Sequence, residues 1–264
     1  MTETEADTTE QTAVGVEAIS PNIELTVLGP ITAYSAGNAV SLGGPKQLTV
    51  LAILIAANGR EVSSDVLVDA LYRDAGNPRA RRIVHTYVSN LRRELGDAIH
   101  STGRGYRMSL PRRSIDACVF EDVHRRARVA DDDAEARKLF GQALDLWTGD
   151  AYTGLEDVEL LAPEIARLTE LHLTVTEARI DLDLEAGLHR QLVAELDGLV
   201  IRHRFRDSFR AQQMLALYRS GRQREALQAY NRYRTDLAGV GLEPSRYLQA
   251  LEHQVLTQDP ALDL

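Results

Sequence analysis

One cysteine in 264 residues, Cys118, excludes an internal disulfide framework and any cysteine-rich zinc site. With Val119 and Phe120 beside it, it reads as a small buried apolar filler. Aromatic residues make up 5% of the chain and tryptophan occurs once, while Leu and Ala are abundant, which leans the composition towards helix. The longest apolar run, Leu48 to Ala57, is already broken by Thr49. It falls far short of the ~18–20 residues that span a membrane. The first twenty residues hold no Lys or Arg, whereas a secretion signal needs a basic start. A reducing, cytoplasmic setting without a membrane partner is the expectation.

Signatures of catalysis are missing as well. Gly43-Gly44-Pro45-Lys46 lacks the spacing and the hydroxyl of a phosphate loop. No G-x-S-x-G elbow and no H-E-x-x-H pair occurs. The seven histidines are scattered, and His172, His189 and His253 fall on helical stretches where they need no ligand role. Asp131-Asp132-Asp133 reads as a turn with a helix cap, because no further oxygen ligands follow at loop spacing. Neither an enzyme nor a cofactor is expected, and no receiver-like stretch with a phosphorylatable aspartate precedes the first strands.

The charge is unevenly placed. The net charge is −9, but residues 1–20 carry −5, residues 21–113 carry +5 and residues 114–264 carry −9. That asymmetry is the footprint of a basic nucleic-acid module joined to an acidic partner-binding module. Residues 1–21, rich in Thr and Glu with little to bury, read as a disordered acidic tail.

Order begins near Asn22. Ile23, Leu25 and Val27 alternate with polar residues, the period of a half-buried strand. Turn signals at Gly29-Pro30 and at residues 35–38 divide off short strands at residues 31–34 and 39–42. Residues 45–57 are apolar nearly all round, as in a core helix that Asn58-Gly59 ends. Glu61-Val62 reads as an extended link. Ser63 or Ser64 then caps a helix over residues 65–71, and residues 73–77 form a loop.

Residues 78–95, PRARRIVHTYVSNLRREL, organise the rest. Ile83, Val84, Tyr87, Val88, Leu91 and Leu95 make one helical face. The other carries Arg79, Arg82, His85, Thr86, Ser89, Asn90, Arg92 and Arg93, side chains that grip phosphates and read base edges. Arg92 and Arg93 are candidates for phosphate or guanine, and Ser89 and Asn90 for base edges. His85 reads equally as a DNA contact or as a solvated side chain. Two short strands follow, at residues 98–101 and 106–110, with Gly103-Arg104-Gly105 at the tip between them. Three strands, three helices and a hairpin in about ninety residues make a winged helix-turn-helix, whose third helix enters the major groove.

From Ile115 onward Ala and Leu recur at helical spacing, giving helices over residues 116–130, 133–147 and 163–186. Trp147 falls inward on the second of them. Gly187-Leu188-His189-Arg190-Gln191-Leu192 is echoed by Gly221-Arg222-Gln223-Arg224-Glu225-Ala226, and the two glycines are 34 residues apart, the tetratricopeptide period. Ala134, Ala136 and Ala143 fit an earlier, degraded copy. The fold class is therefore mostly α with a small β component: an N-terminal winged helix-turn-helix, residues 22–113, followed by an all-α tetratricopeptide-like domain, residues 114–264. A fragment ending at Arg113 is expected to fold alone and to bind DNA.

The run SLGGPKQLTVLAILIAANGREVSSDVLVDALY, with HTYVSNLRRELG and GRGYRMSL, resembles the OmpR-like winged helix. More closely it resembles the form found in Streptomyces antibiotic regulatory proteins, the SARP activators. The later run LALYRSGRQREALQAYNRYRTDLAGVGLEPSRYLQALEHQVLTQDPAL resembles the bacterial transcriptional activator domain of that family. The resemblance covers residues 22–262. It implies a sequence-specific activator of a secondary-metabolite (antibiotic) gene cluster that binds direct repeats one helical turn apart and recruits RNA polymerase. It implies DNA-facing positions at Arg82, Thr86, Ser89, Asn90, Arg92 and Arg93, and a wing over residues 102–107 with Thr102 and Arg104. It also implies a polymerase-contact loop at Tyr72, Arg73, Asp74, Ala75, Gly76 and Asn77. Response-regulator relatives often carry Arg or Lys at the positions of Ser89 and Asn90, which implies a different base preference here. The partners implied are promoter DNA, polymerase holoenzyme with its sigma factor and a second protomer, in a cytoplasmic, nucleoid-associated setting. Two rivals are an adaptor whose winged helix binds protein and a regulator with a small effector in its helical half.

Overall fold

The structure, a computed structural model, describes residues 23–73 and 78–263. The acidic tail lies outside the described residues, as do Asp74, Ala75, Gly76 and Asn77 of the loop.

Three antiparallel strands come first: β1 (Ile23–Thr26), β2 (Thr32–Ser35) and β3 (Asn38–Ala39), in that order across the sheet. Ile23, Leu25 and Ala33 point into the core. β3 is shorter than its alternation suggests. Val40 N–H still reaches the Ala33 carbonyl at 3.0 Å, but the chain then leaves the sheet. Leu42 becomes buried, and its carbonyl accepts from the Gln47 side chain at 3.1 Å.

Helix α1 (Pro45–Ala56) starts on a proline, which suits the first helical turn, and Val50, Leu51, Ala52 and Leu54 have no exposed surface. Helix α2 (Ser64–Tyr72) is capped by Ser63, whose hydroxyl accepts from Val66 N–H, and ends on Arg73 in the left-handed region. Helix α3 (Pro78–Leu95) has the bounds that its periodicity predicts, and Gly96 follows it at φ 58°. Strands β5 (Ile99–Ser101) and β6 (Gly105–Met108) form the hairpin. The stretch read as an extended link is a strand of this sheet: β4 (Val62–Ser63) pairs with β6, giving the order β4-β6-β5. Two residues are too few to show a period, so only the pairing reveals the strand.

The helical half begins with α4 (Asp116–Ala127) and α5 (Asp133–Leu144), each ending three residues before its expected limit. Asp132 caps α5 by accepting from Glu135 N–H at 3.2 Å. Trp147 therefore sits beyond the helix, where it stacks on His172 at 4.3 Å and meets Phe120 edge-on at 5.4 Å. The long α6 (Ala162–Glu185) is followed by α7 (His189–Arg202), α8 (Asp207–Arg219), α9 (Gln223–Ala238) and α10 (Arg246–Thr257). The 34-residue echo is real in three dimensions. Gly187 and Gly221 have φ of 80° and 77°, and in each case the next N–H bonds back five residues at 2.9 Å, Leu188 to Asp183 and Arg222 to Leu217. Both are Schellman closures, which need a left-handed residue and so favour glycine.

The hydrophobic core does not divide at residue 113. One cluster runs from Ile23 through the winged helix into Ile115, Phe120, Phe140, Tyr152 and Val175. A second begins on α6 with Leu173 and Ile180 and continues to Leu262. Backbone bonds cross the same junction. Val27 and Leu28 donate to the Asp116 carboxylate at 2.9–3.0 Å, Thr148 and Tyr152 donate to the carbonyls of Leu28 and Val27 at 2.8 Å, and Leu25 bridges to Ile115. A fragment ending at Arg113 would lose from this core Ile115, Phe120, Phe140, Tyr152 and the other buried residues that follow. The expectation that it folds alone is at odds with the packing.

Candidate nucleic-acid interface

Helix α3 buries Ala80, Val84, Val88, Leu91 and Leu95 against α1 and α2. Its opposite side leaves Arg81, Arg82, His85, Thr86, Ser89 and Arg93 exposed. Thr86 Oγ1 donates to the Arg82 carbonyl at 3.1 Å, which turns the hydroxyl towards its own helix. Arg81 pairs with Asp65 of α2 in an exposed ion pair. Such pairs contribute little to stability and exchange readily for another anion. Arg82 has no ion-pair partner among the described residues.

Two of the residues that the sequence places on the DNA side are engaged within the domain. Asn90 Nδ2 donates to Gln47 Oε1 at 3.2 Å, and its Oδ1 accepts from Arg93. Gln47 is itself buried and donates onward to the Leu42 carbonyl. Asn90 thus links α3 to α1 and holds the Arg93 side chain. Arg92 is half-buried: its Nε donates to the Ile99 carbonyl at 2.7 Å, and its guanidinium carbon lies 5.8 Å from the Tyr106 ring. It fastens α3 to the hairpin.

The hairpin tip turns at Gly103, with φ 84°. Thr102 closes the turn from both sides, its N–H donating to the Gly105 carbonyl at 3.0 Å and its Oγ1 accepting from Gly105 N–H at 3.1 Å. Gly105 is required for another reason: a Cβ there would lie 2.0 Å from the Val62 carbonyl oxygen, where β6 crosses β4. Arg104 and Arg107 project into solvent, and the Arg104 carbonyl accepts from Ser64 N–H at the start of α2. Helix and hairpin tip therefore form one basic surface, with α2 tied to both.

On the loop side, Tyr72 is half-buried and Arg73 exposed. The Lys46 ammonium lies 3.8 Å from the centre of the Tyr72 ring, and the Tyr72 and Tyr87 hydroxyls are 3.4 Å apart. That hydrogen bond, with burial, raises the Tyr87 phenol above its ordinary value. Lys46, Gln47 and Tyr87 thus pin α1, α2 and α3 together. Sequence periodicity marks only Tyr87 as inward and carries no signal for the other two. Among the described residues no group of His, Cys, Asp and Glu could hold a metal ion, and no helix is long and apolar enough to cross a membrane.

Residues 37–108 match the family described as "Transcriptional regulatory protein, C terminal", and residues 115–256 match the "Bacterial transcriptional activator domain". The regulatory protein DnrI of Streptomyces peucetius is 34% identical over 257 residues, which is 91% of this chain and 94% of DnrI. The chain belongs to the SARP family of transcriptional regulators. The regulatory protein AfsR of Streptomyces griseus is 35% identical over 96% of this chain, but the match covers 26% of AfsR, so this SARP chain spans about a quarter of that protein. Among solved structures, EmbR of Mycobacterium tuberculosis, determined in complex with a low-affinity phosphopeptide, superimposes with a TM-score of 0.84 at 30% identity, over 91% of this chain and 66% of EmbR. The families and proteins matched are regulators of transcription and not enzymes.

Proposed function

We propose that this SARP chain is a sequence-specific DNA-binding activator. Helix α3 enters the major groove and the β5–β6 hairpin follows the backbone. Arg82, Thr86 and Ser89 face base edges, while Arg93 and the wing residues Thr102 and Arg104 hold phosphates. Asn90 and Arg92 support that surface from its edge, Asn90 by holding Arg93 and Arg92 by fastening α3 to the hairpin. The observation that carries the reading is the single basic surface of α3 and hairpin tip, whose apolar back is locked into the core. Two protomers lie on tandem direct repeats about one turn apart. The α2–α3 loop, with Tyr72 and Arg73 at its entrance, meets polymerase holoenzyme at its sigma factor. The controlled genes form a secondary-metabolite cluster, and the protein works at the nucleoid.

The test is a duplex-binding titration on promoter fragments from the gene's own neighbourhood, at several salt concentrations. Binding to a few fragments should weaken with a slope of log K on log salt near −5, as expected for about six phosphate contacts. Binding to no fragment, or a flat salt response, would return the winged helix to the adaptor reading.

A further inference from the structure

The groove framed by α7, α8 and α9 holds a buried cation that makes no direct ion pair among the described residues. Arg210, on α8, is 8% exposed. One of its Nη atoms donates to Gln213 Oε1 at 2.7 Å, its Nε is buried with no hydrogen-bond partner, and its Cζ lies 5.2 Å from the Tyr233 ring centre. Among the described residues it makes no ion pair, and burial holds its pKa below the ordinary arginine value. Buried charges in proteins are as a rule paired, and a buried polar atom without a partner calls for an explanation.

Arg210 lines a cavity of about 650 Å³. The carboxylates around that cavity are already engaged: Asp236 pairs with Arg204 at 3.4 Å, Glu225 pairs with Arg222 at 2.7 Å, and Asp197 accepts from Gln213 Nε2 at 2.5 Å. Arg232 lines the same space, and among the described residues its one hydrogen bond is a 3.3 Å contact from Nε to the Gln228 carbonyl. Neither guanidinium therefore makes a direct ion pair among the described residues: Asp236 and Asp197 act on Arg210, and Glu225 on Arg232, through space only, in a half of the chain whose net charge is −9. Apolar surface adjoins them. Val200 and Leu217 line the groove, and Ile201 at its edge is 78% exposed.

We infer that this groove binds an acidic segment of a partner protein, one of whose carboxylates lies against Arg210 and Arg232 while a neighbouring apolar residue covers Ile201. Charge complementarity selects the carboxylate, and the exposed isoleucine selects the apolar neighbour. The inference stands independently of the DNA-reading proposal, since the groove and α3 share no residue.

The test selects random displayed peptides on the full chain and measures the best of them as synthetic peptides. Selected sequences should carry Asp or Glu beside apolar residues. They should bind about tenfold or more weakly to Arg210→Met and to Arg232→Gln, and more weakly with rising salt. Arg210→Met should melt near or above the wild-type temperature and keep duplex binding, because an apolar side chain of similar size replaces a buried charge that makes no direct ion pair. Four results would overturn the inference: no selection, selected peptides without acidic residues, binding as tight to both variants as to the wild type, or a marked fall in the melting temperature of Arg210→Met with peptide affinity intact. Binding that emerges only after residues 1–20 are removed would also overturn it, by making the chain's own acidic tail the occupant.

Discussion

Replacing Asp116 with Ala removes the acceptor for three backbone N–H groups, those of Val27, Leu28 and Ala117. Val27 and Leu28 have no exposed surface and Asp116 is part-buried, so water replaces the carboxylate only in part at those two. Each buried N–H left unpaired costs about 1–3 kcal/mol. Part of that is offset, because burial raises the Asp116 carboxyl above its ordinary value against the pull of the three N–H groups, and the charge it desolvates disappears with it. A net loss of about 2–4 kcal/mol remains. In a cooperative unit of this size that lowers the melting temperature by about 5–15 °C. Asp116→Asn keeps one acceptor oxygen and should fall between wild type and Asp116→Ala. Thermal unfolding followed by circular dichroism measures all three, and a fragment ending at Arg113 completes the set, with no cooperative transition expected. A shift below about 2 °C for Asp116→Ala, or a sharp melt of the fragment, would refute the claim that β1 and α4 belong to one folding unit.

Arg92→Ala should lower stability by about 1–2 kcal/mol through the lost bond to Ile99 and the lost ring contact, whereas Arg93→Ala should leave the melting temperature in place and reduce the salt slope of duplex binding by about 1. The opposite assignment of the two effects would exchange their roles. Gly105→Ala drives a methyl against the Val62 carbonyl, so β4 and β6 must part; melting temperature and duplex affinity should fall together, and an unchanged melt would show that the strand can shift. His172 is held below the ordinary imidazole value first by burial and then by the charges of His203 and Arg202, and His124, His189 and His203 are lowered in the same direction. Their neutral forms favour the fold. The stability they carry is complete above the ordinary value of 6.5 and is lost as pH falls through the lowered values. The melting temperature should therefore hold above pH 6.5 and drop in mild acid, with Trp147 fluorescence reporting His172 because the two rings stack; His172→Phe should flatten the fluorescence response and reduce the drop in melting temperature, leaving the part carried by the other three.

The sequence made the local features legible. A strong 3.6 period located α3 to its end residues, the left-handed glycines marked both helix-pair closures, and Asp132 announced its cap. Features built from distant residues left no local trace. The bonds from Val27 and Leu28 to Asp116 join positions 89 and 88 residues apart. The Asn90–Gln47 bond spans 43 residues, and Arg92 meets a carbonyl that only the hairpin brings near. From spacing alone, a polar residue on a helix's open side cannot be told from one that turns inward at its edge. This is why Asn90 and Arg92 stand with the DNA-facing set in the sequence but are half-buried and bonded within the domain in the fold. Composition likewise changes at residue 113, where basic gives way to acidic, but charge marks surfaces and says nothing of where a core divides.

Because α6 contributes Leu168 and Val175 to one cluster and Leu173 and Ile180 to the other, the natural seam of this chain lies within a helix and not between its two matched segments. Grafting has to respect that seam. A chimaera meant to give a relative new promoter specificity should transplant everything from β1 to the middle of α6 as one block. A cut at the charge boundary would leave the incoming reading head without the helices that complete its interior.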